Sequence, residues 1–344
     1  MSNLTLKEIL LKSTEYLERK WHEMTPPPLE GVGGRETENN TPVKSHPHPN
    51  PLQRRGGYAR YEAELILSHF LNISRMDLYL EFERVIAEDK ASVIRNAIVE
   101  RGKRKPLQYI LGSVQFLDCE IEVNENVLIP RPETEFMVDA IRKSECGMRN
   151  EIPPNPPLKR GEYTILDLCT GSGAIAIALK KKYTDATVYA IDICDKALEI
   201  AKRNAEKNGC EIIFIQSDLF EKFVGADLCV CPNTKGEHAG SPLLIFDIIV
   251  SNPPYISEAD YNSLEPEIFF EPKHALVADK NGLYFYEKIL KEAKGFMKED
   301  GLLYLEIGSE QADDVVKLAM ENGYTEYNII KDLSERNRIV RIKK

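Results

Sequence analysis

From Tyr163 onward the chain alternates short apolar runs with longer amphipathic stretches, and this rhythm restricts the fold more than any other feature. YTILDL (163–168), TVYAIDI (187–193), EIIFIQSD (211–218), FDIIVSN (246–252) and GLLYLEIG (301–308) read as strands. Residues 174–182, 195–208 and 282–298 read as helices between or beside them. Strands joined through helices pair in parallel, with helices on both faces of the sheet. The expected class is α/β, a Rossmann-like layout. Open sheets of this kind bind ligands beyond the carboxyl ends of their strands, so the loops at those ends are where chemistry is sought.

The first hundred residues differ. Residues 4–20, 59–71 and 86–101 place apolar side chains at helical spacing and predict a small helical domain. Residues 107–127, including FLDCEIEVN, alternate toward strands and suggest a hairpin linking two domains. Pro130 and Pro132 are expected to stop any regular element. Proline-rich segments interrupt this order: PPPLEGVGG (26–34), PNPLQRRGG (49–57) and PNPPLKRGE (154–162) share a proline start, a leucine and a glycine-rich end. Their composition does not build a core and reads as insertions into surface loops. The expected organisation is a helical domain over 1–105 with an insertion at about 22–57, a hairpin linker over 106–135, and an α/β domain over 136–344 with insertions at about 146–162 and 225–244.

Composition excludes several classes. The net charge is −10, which weighs against a protein that tracks duplex nucleic acid, because phosphate contacts favour a basic face. The 7 cysteines show no framework spacing and fit free thiols. Cys229, Cys231 and His238 fall short of a zinc set, so no metal is expected. The N-terminal stretch lacks the pattern of a signal peptide, and no apolar run reaches the roughly 18 residues of a membrane span. A cytoplasmic protein is expected.

Two motifs carry chemistry. The first is Asp-Leu-Cys-Thr-Gly-Ser-Gly-Ala (167–174), between a strand and a helix. Gly171 and Gly173 let the backbone approach a ligand, and the helix start offers unpaired N–H groups. Asp192 ends the next strand, where a carboxylate accepts hydrogen bonds from ribose hydroxyls. These features suit a nicotinamide cofactor or S-adenosylmethionine (SAM); Ala176, standing where a dinucleotide fingerprint has its third glycine, tilts against the former.

The second motif is Asn252-Pro253-Pro254-Tyr255, at the end of the fourth strand. The prolines fix the backbone and bar a helix directly after the strand. The Asn252 carbonyl oxygen and the Pro253 carbonyl are two acceptors able to grip a planar –NH₂ group, and Tyr255 offers a flat face. No general base is evident, which suits a strongly activated methyl donor and a site whose main task is alignment.

Together these residues resemble the class I, SAM-dependent N-P-P-Y methyltransferases, most nearly the N5-glutamine methyltransferases of peptide chain release factors. The resemblance rests on YARYEAELILSHFL (58–71), KRKPLQYILGSVQF (103–116), VLIPRPETEFMVD (127–139), LDLCTGSGAIAIAL (166–179), SDLF (217–220), IVSNPPYI (249–256) and LEIGSEQ (305–311). It covers nearly the whole chain outside the insertions. It implies that Cys169, Thr170, Gly171, Ser172 and Gly173 hold SAM, that Asp192 takes the ribose, and that Asp218 and Leu219 lie near the adenine. Asn252 borders both ligands. Asn252, Pro253, Pro254 and Tyr255 would hold a glutamine amide, with Asn252, Pro253 and Tyr255 catalytic, and Arg131 and Glu133 would line the nearby wall. The family usually has glycine where this chain has Cys169, so weaker SAM binding is the most that this departure implies.

The expected partner is a release factor, with no membrane and no stable nucleic-acid binding. Rival readings are an N-P-P-Y enzyme acting on another amine, such as a ribosomal-protein glutamine or a nucleic-acid adenine, and a non-catalytic module with a SAM-binding fold. The basic run Arg101–Lys105 reads as a solvated helix end. Tyr284, Phe285 and Tyr286 are expected to pack the sheet.

Overall fold

The seven-stranded sheet that organises the larger part of the chain has the order β5-β4-β3-β6-β7-β9-β8. Its strands are β3 (Thr164–Leu168), β4 (Thr187–Asp192), β5 (Ile213–Gln216), β6 (Phe246–Ser251), β7 (Met297–Glu306), β8 (Glu326–Lys331) and β9 (Asn337–Lys343). A computed structural model describes residues 4–24, 57–144, 163–223 and 244–344. The proposed insertion segments, with Cys229, Cys231 and His238, lie almost wholly outside the described residues.

The chain divides into two units, Met1–Leu111 and Gly112–Lys344. In the first, helices α1 (Leu6–Met24), α2 (Gly57–Leu71), α3 (Arg75–Leu80), α4 (Glu88–Gly102) and α5 (Leu107–Leu111) surround a core of Leu6, Leu17, Ile66, Leu67, Leu78 and Ile94. Helix α1 runs on to Met24, past the expected start of the first insertion. Leu107–Leu111, read from sequence as part of a strand-like stretch, is helical. Arg101 is not a solvated helix end: it is buried and paired with Glu62, its Nη2 donating to Glu62 Oε1 at 3.1 Å.

The second unit opens with the expected hairpin, β1 (Ser113–Phe116) against β2 (Cys119–Glu122). Then comes α6 (Pro132–Ser144), where a break was expected. Proline lacks only an N–H that the first helical position would leave unpaired, so Pro132 starts this helix rather than stopping it. Helices α7 (Ala174–Lys182), α8 (Asp195–Lys207), α9 (Glu258–Tyr261), α10 (Tyr284–Phe296) and α11 (Ala312–Glu321) complete the unit.

Strands β3, β4, β5, β6 and β7 pair in parallel, as the alternation predicts. Parallel strands covered on both faces read as continuous apolar runs. Ile165, Leu166, Ile249, Val250 and Leu303 are accordingly inaccessible to solvent. The sheet is nevertheless mixed, because β9 pairs antiparallel with both β7 and β8. Strand order reverses between β3 and β6, and the loops that leave their carboxyl ends carry both motifs.

Candidate active site

The glycine-rich turn after β3 is built on Asp167, which is inaccessible to solvent. Its Oδ2 accepts from the Thr170 hydroxyl at 2.6 Å and from the Ala176 amide at 3.2 Å. The Thr170 amide donates to the Ile191 carbonyl at 2.9 Å, tying the turn to β4. The Gly171 amide donates to Asp192 Oδ2, and the Cys194 amide to Asp192 Oδ1, both at 2.9 Å. Gly173 has φ +82°, and a β-carbon there would sit 3.0 Å from the Ala201 β-carbon of α8. A β-carbon on Gly171 would meet nothing within 4 Å, so that glycine borders open space. Asn204 of α8, wholly buried, donates to the Ser172 carbonyl at 2.9 Å and to the Glu122 carbonyl at 3.0 Å.

Burial governs the charges here. It pushes the Asp167 carboxyl up to about 7, against the two hydrogen bonds it accepts. Its second oxygen is buried with no hydrogen-bond partner among the described residues. Burial also raises Asp192, while the Cys194 and Gly171 amides and nearby His274 oppose the rise. The Cys169 thiol is pushed up by burial and then by the Asp192 charge, and so stays protonated. Cys169 takes φ +59°, a left-handed backbone that costs a residue with a β-carbon and suits glycine.

Beside this turn lies a cavity of about 300 Å³. Its wall includes Cys169, Gly171, Asp192, Asp218, Leu219, Asn252 and Pro254. Thr170, Ser172 and Gly173 are buried in the turn itself, and Pro253, Tyr255, Arg131 and Glu133 do not reach this wall. Asn126, His274, Tyr284 and Phe285 line it without having been expected to. Of the three aromatics assigned to sheet packing, only Tyr286 is fully buried. Tyr284 and Phe285 serve the cavity as well.

The cavity fits SAM by size and by donor set. Its volume lies within the range usual for small-molecule sites. The Asp192 carboxylate borders the open space at Gly171 and is oriented by two amides. Carboxylate, open glycine turn and aromatic wall match a ribose, a small charged tail and a purine.

The second motif turns away from β6 beside the first. Ser251 donates from its hydroxyl to the Leu168 carbonyl at 2.8 Å, which locks the two strand ends together. Asn252 donates from Nδ2 to the Thr134 hydroxyl oxygen at 3.1 Å, and Thr134 donates onward to Glu306 Oε2 at 2.7 Å. Among the described residues nothing donates to Asn252 Oδ1 or to the Pro253 carbonyl. The Tyr255 carbonyl accepts from Gln311 Nε2 at 3.0 Å, and Gln311 Oε1 accepts from the Gly308 amide at 3.0 Å. The half-buried Tyr255 ring packs on the sheet core, and burial together with Glu306 raises its hydroxyl.

Arg131 and Glu133 are held in ion pairs. Arg131 pairs with buried Glu271, whose other oxygen accepts from the Ile129 amide at 3.0 Å. Glu133 lies 3.9 Å from Arg338, which also binds Asp332 at 2.9 Å. Two residues further, Glu135 Oε1 accepts from the Leu117 amide in the hairpin at 3.1 Å. Thr134, Glu306 and Gln311 were missed as site residues. They lie in the VLIPRPETEFMVD and LEIGSEQ segments, whose resemblance was the available signal. Among the described residues no group of three His, Cys, Asp or Glu side chains is arranged to hold a metal.

A family model described as the PrmC N-terminal domain matches residues 52–112, and one described as a methyltransferase domain matches residues 159–340. A release factor glutamine methyltransferase of Thermodesulfovibrio yellowstonii is 34% identical over 82% of this chain and 92% of its own. One of Fusobacterium nucleatum is 36% identical over 88% of this chain and 76% of its own. A methyltransferase crystal structure from Pyrococcus furiosus aligns over 75% of this chain and 99% of its own, at 18% identity and a TM-score of 0.44.

Proposed function

The chain belongs to the family of release factor glutamine methyltransferases, and we propose that its Asn252–Tyr255 corner is where the substrate glutamine is held. The enzyme transfers a methyl group from SAM to the side-chain amide nitrogen of the glutamine in the Gly-Gly-Gln motif of peptide chain release factors. SAM supplies a sulfonium-activated methyl group, which leaves the protein chiefly with alignment to do.

The observation that carries the site assignment is the state of Asn252. Its Nδ2 is committed to Thr134, so Oδ1 is left as an acceptor on a residue of the cavity wall. Asn252 Oδ1 and the Pro253 carbonyl take the two hydrogens of the substrate amide, and Tyr255 supports its plane. The lone pair of an amide nitrogen is delocalised, and gripping both hydrogens holds that nitrogen toward the methyl donor. Cys169, Gly171, Asp192, Asp218 and Leu219 hold the cofactor, with Thr170, Ser172 and Gly173 shaping the turn. Arg131 and Glu133 brace the corner through their ion pairs.

The domain division belongs to the same reading: the helical unit recognises the release factor and the α/β unit does the chemistry. So do a cytoplasmic location, where release factors work, and the lack of stable nucleic-acid binding.

The test is transfer of label from methyl-labelled SAM to a bacterial release factor, beside the same factor with Gln→Ala in its Gly-Gly-Gln motif. Label goes to the wild-type factor only. Asn252→Ala lowers turnover by about 100-fold or more while SAM affinity stays within about threefold. Equal losses in turnover and SAM affinity would remove Asn252 from the substrate grip.

A further inference from the structure

Taking Asn252 as the residue that grips the glutamine amide, we infer that Thr134 and Glu306 are positioning residues for the reaction: they determine which end of the Asn252 amide meets the substrate.

A carboxamide has two chemically opposite ends, an acceptor oxygen and a donor NH₂. The substrate also presents an NH₂. Turned the wrong way, Asn252 would set donor against donor, and the grip would become a repulsion. Orientation of this one side chain therefore separates a productive site from a blocked one.

The hydrogen-bond chain around it leaves a single consistent orientation. Glu306 is 1% exposed, and when ionised its carboxylate only accepts. Its Oε2 takes the one hydrogen of the Thr134 hydroxyl at 2.7 Å. That hydroxyl then has only lone pairs to offer Asn252, so Nδ2 turns toward it, at 3.1 Å, and Oδ1 turns away from it. The direction runs from carboxylate to hydroxyl to amide.

Each member is anchored on a different element. Thr134 sits in the first turn of α6, where its amide donates to the Arg131 carbonyl at 3.0 Å. Glu306 ends β7, and its carbonyl accepts from the Tyr286 hydroxyl of α10 at 2.8 Å. Asn252 follows β6 directly.

The chain reverses if Glu306 takes up a proton. A protonated Glu306 donates to Thr134, Thr134 turns its hydrogen toward Asn252, and the amide flips to present Nδ2 to the substrate. Burial and Glu133 of α6 raise the Glu306 carboxyl. Thr134, Arg338 of β9 and Arg131 before α6 hold it down, and the balance leaves it at about 7. Tyr255 and Tyr286 of α10, the titratable hydroxyls facing it, are themselves raised and stay neutral across this range.

The experiment measures steady-state turnover of a release factor at saturating SAM from pH 5.5 to 9, with SAM affinity by calorimetry and unfolding midpoints for each variant. The variants are Thr134→Val, Thr134→Ser, Glu306→Gln and Asn252→Ala. Thr134→Val keeps the shape and removes the hydroxyl; turnover at pH 8 falls about 30-fold or more, with SAM affinity within about threefold. Thr134→Ser restores turnover to within about threefold of wild type. Wild-type turnover falls by about tenfold per pH unit below pH 7, whereas Glu306→Gln, which accepts from Thr134 without titrating, lacks this acid limb.

The inference is overturned if Thr134→Val turns over within about threefold of wild type, if Thr134→Ser is as slow as Thr134→Val, or if the acid limb survives in Glu306→Gln. Should Thr134→Val fail to fold, the serine variant and the pH profile of Glu306→Gln decide. A fully active Asn252→Ala would instead overturn the assignment of the grip. A slow Asn252→Ala beside a fast Thr134→Val removes only the positioning role.

Discussion

Gly282 lies so close to the Tyr255 carbonyl that a β-carbon added to it would sit 2.1 Å from that oxygen. The same β-carbon would stand 2.7 Å from Gln311 Nε2, which donates to that carbonyl. The loop before α10 thus presses on the backbone of the proposed substrate corner where only a hydrogen atom fits.

Gly282→Ala is expected to displace Tyr255 and break the Gln311 bridge. The left-handed backbone at φ +84° adds to the clash. The loss of stability is about 2–4 kcal/mol, read by denaturant unfolding. Turnover is expected to fall more than SAM affinity, because the displaced residues belong to the proposed substrate grip. Unchanged unfolding would show that the loop yields freely.

Asp167 makes stability depend on pH in an unusual direction for a carboxylate. Its folded-state pKa of about 7 lies above the ordinary range, so the native chain holds the proton more tightly than the unfolded chain does. Its contribution is full at low pH and is lost as pH rises between roughly 4 and 7, at on the order of 1.4 kcal/mol per pH unit. Asp167→Asn still accepts from Thr170 and Ala176 but does not titrate. Its unfolding midpoint, relative to wild type, is expected to rise from pH 5 to pH 8. A constant difference would show that Asp167 is ionised throughout.

Cys169→Gly relieves the left-handed strain at φ +59° but adds freedom to the unfolded chain. The two effects oppose each other, each on the order of 1 kcal/mol, so stability changes little. Because the thiol borders the cavity proposed for SAM, SAM affinity measured by calorimetry is expected to stay level or rise. A fall would mean that the thiol makes a useful contact.

Much of the architecture was legible for one physical reason. Strands buried on both faces cannot carry polar residues freely, so segments such as FDIIVS announce themselves. Strands β8 and β9 did not, because EYNIIK, at the sheet edge, and NRIVRIK, beside it, mix polar and charged residues into partly exposed strands. Pro132 was misread because proline breaks a helix from within yet starts one readily. The turn glycines, Asp192 and Asn252 were legible because each is a local solution to a local problem. The bond from Thr134 to Glu306 joins residues 172 positions apart, and no local pattern reports it.

The first turn of α6 reaches several distant parts of its unit at once. Arg131, just before it, holds Glu271; Glu133 faces Arg338; Thr134 joins Asn252 to Glu306; Glu135 takes the Leu117 amide. Consecutive residues on a helix point about 100° apart, which is how so short a stretch serves so many directions. A single residue gained or lost between Arg131 and Glu135 would rotate these attachments out of register together. This is a place where an indel of one codon would do more harm than a far longer insertion in an exposed loop.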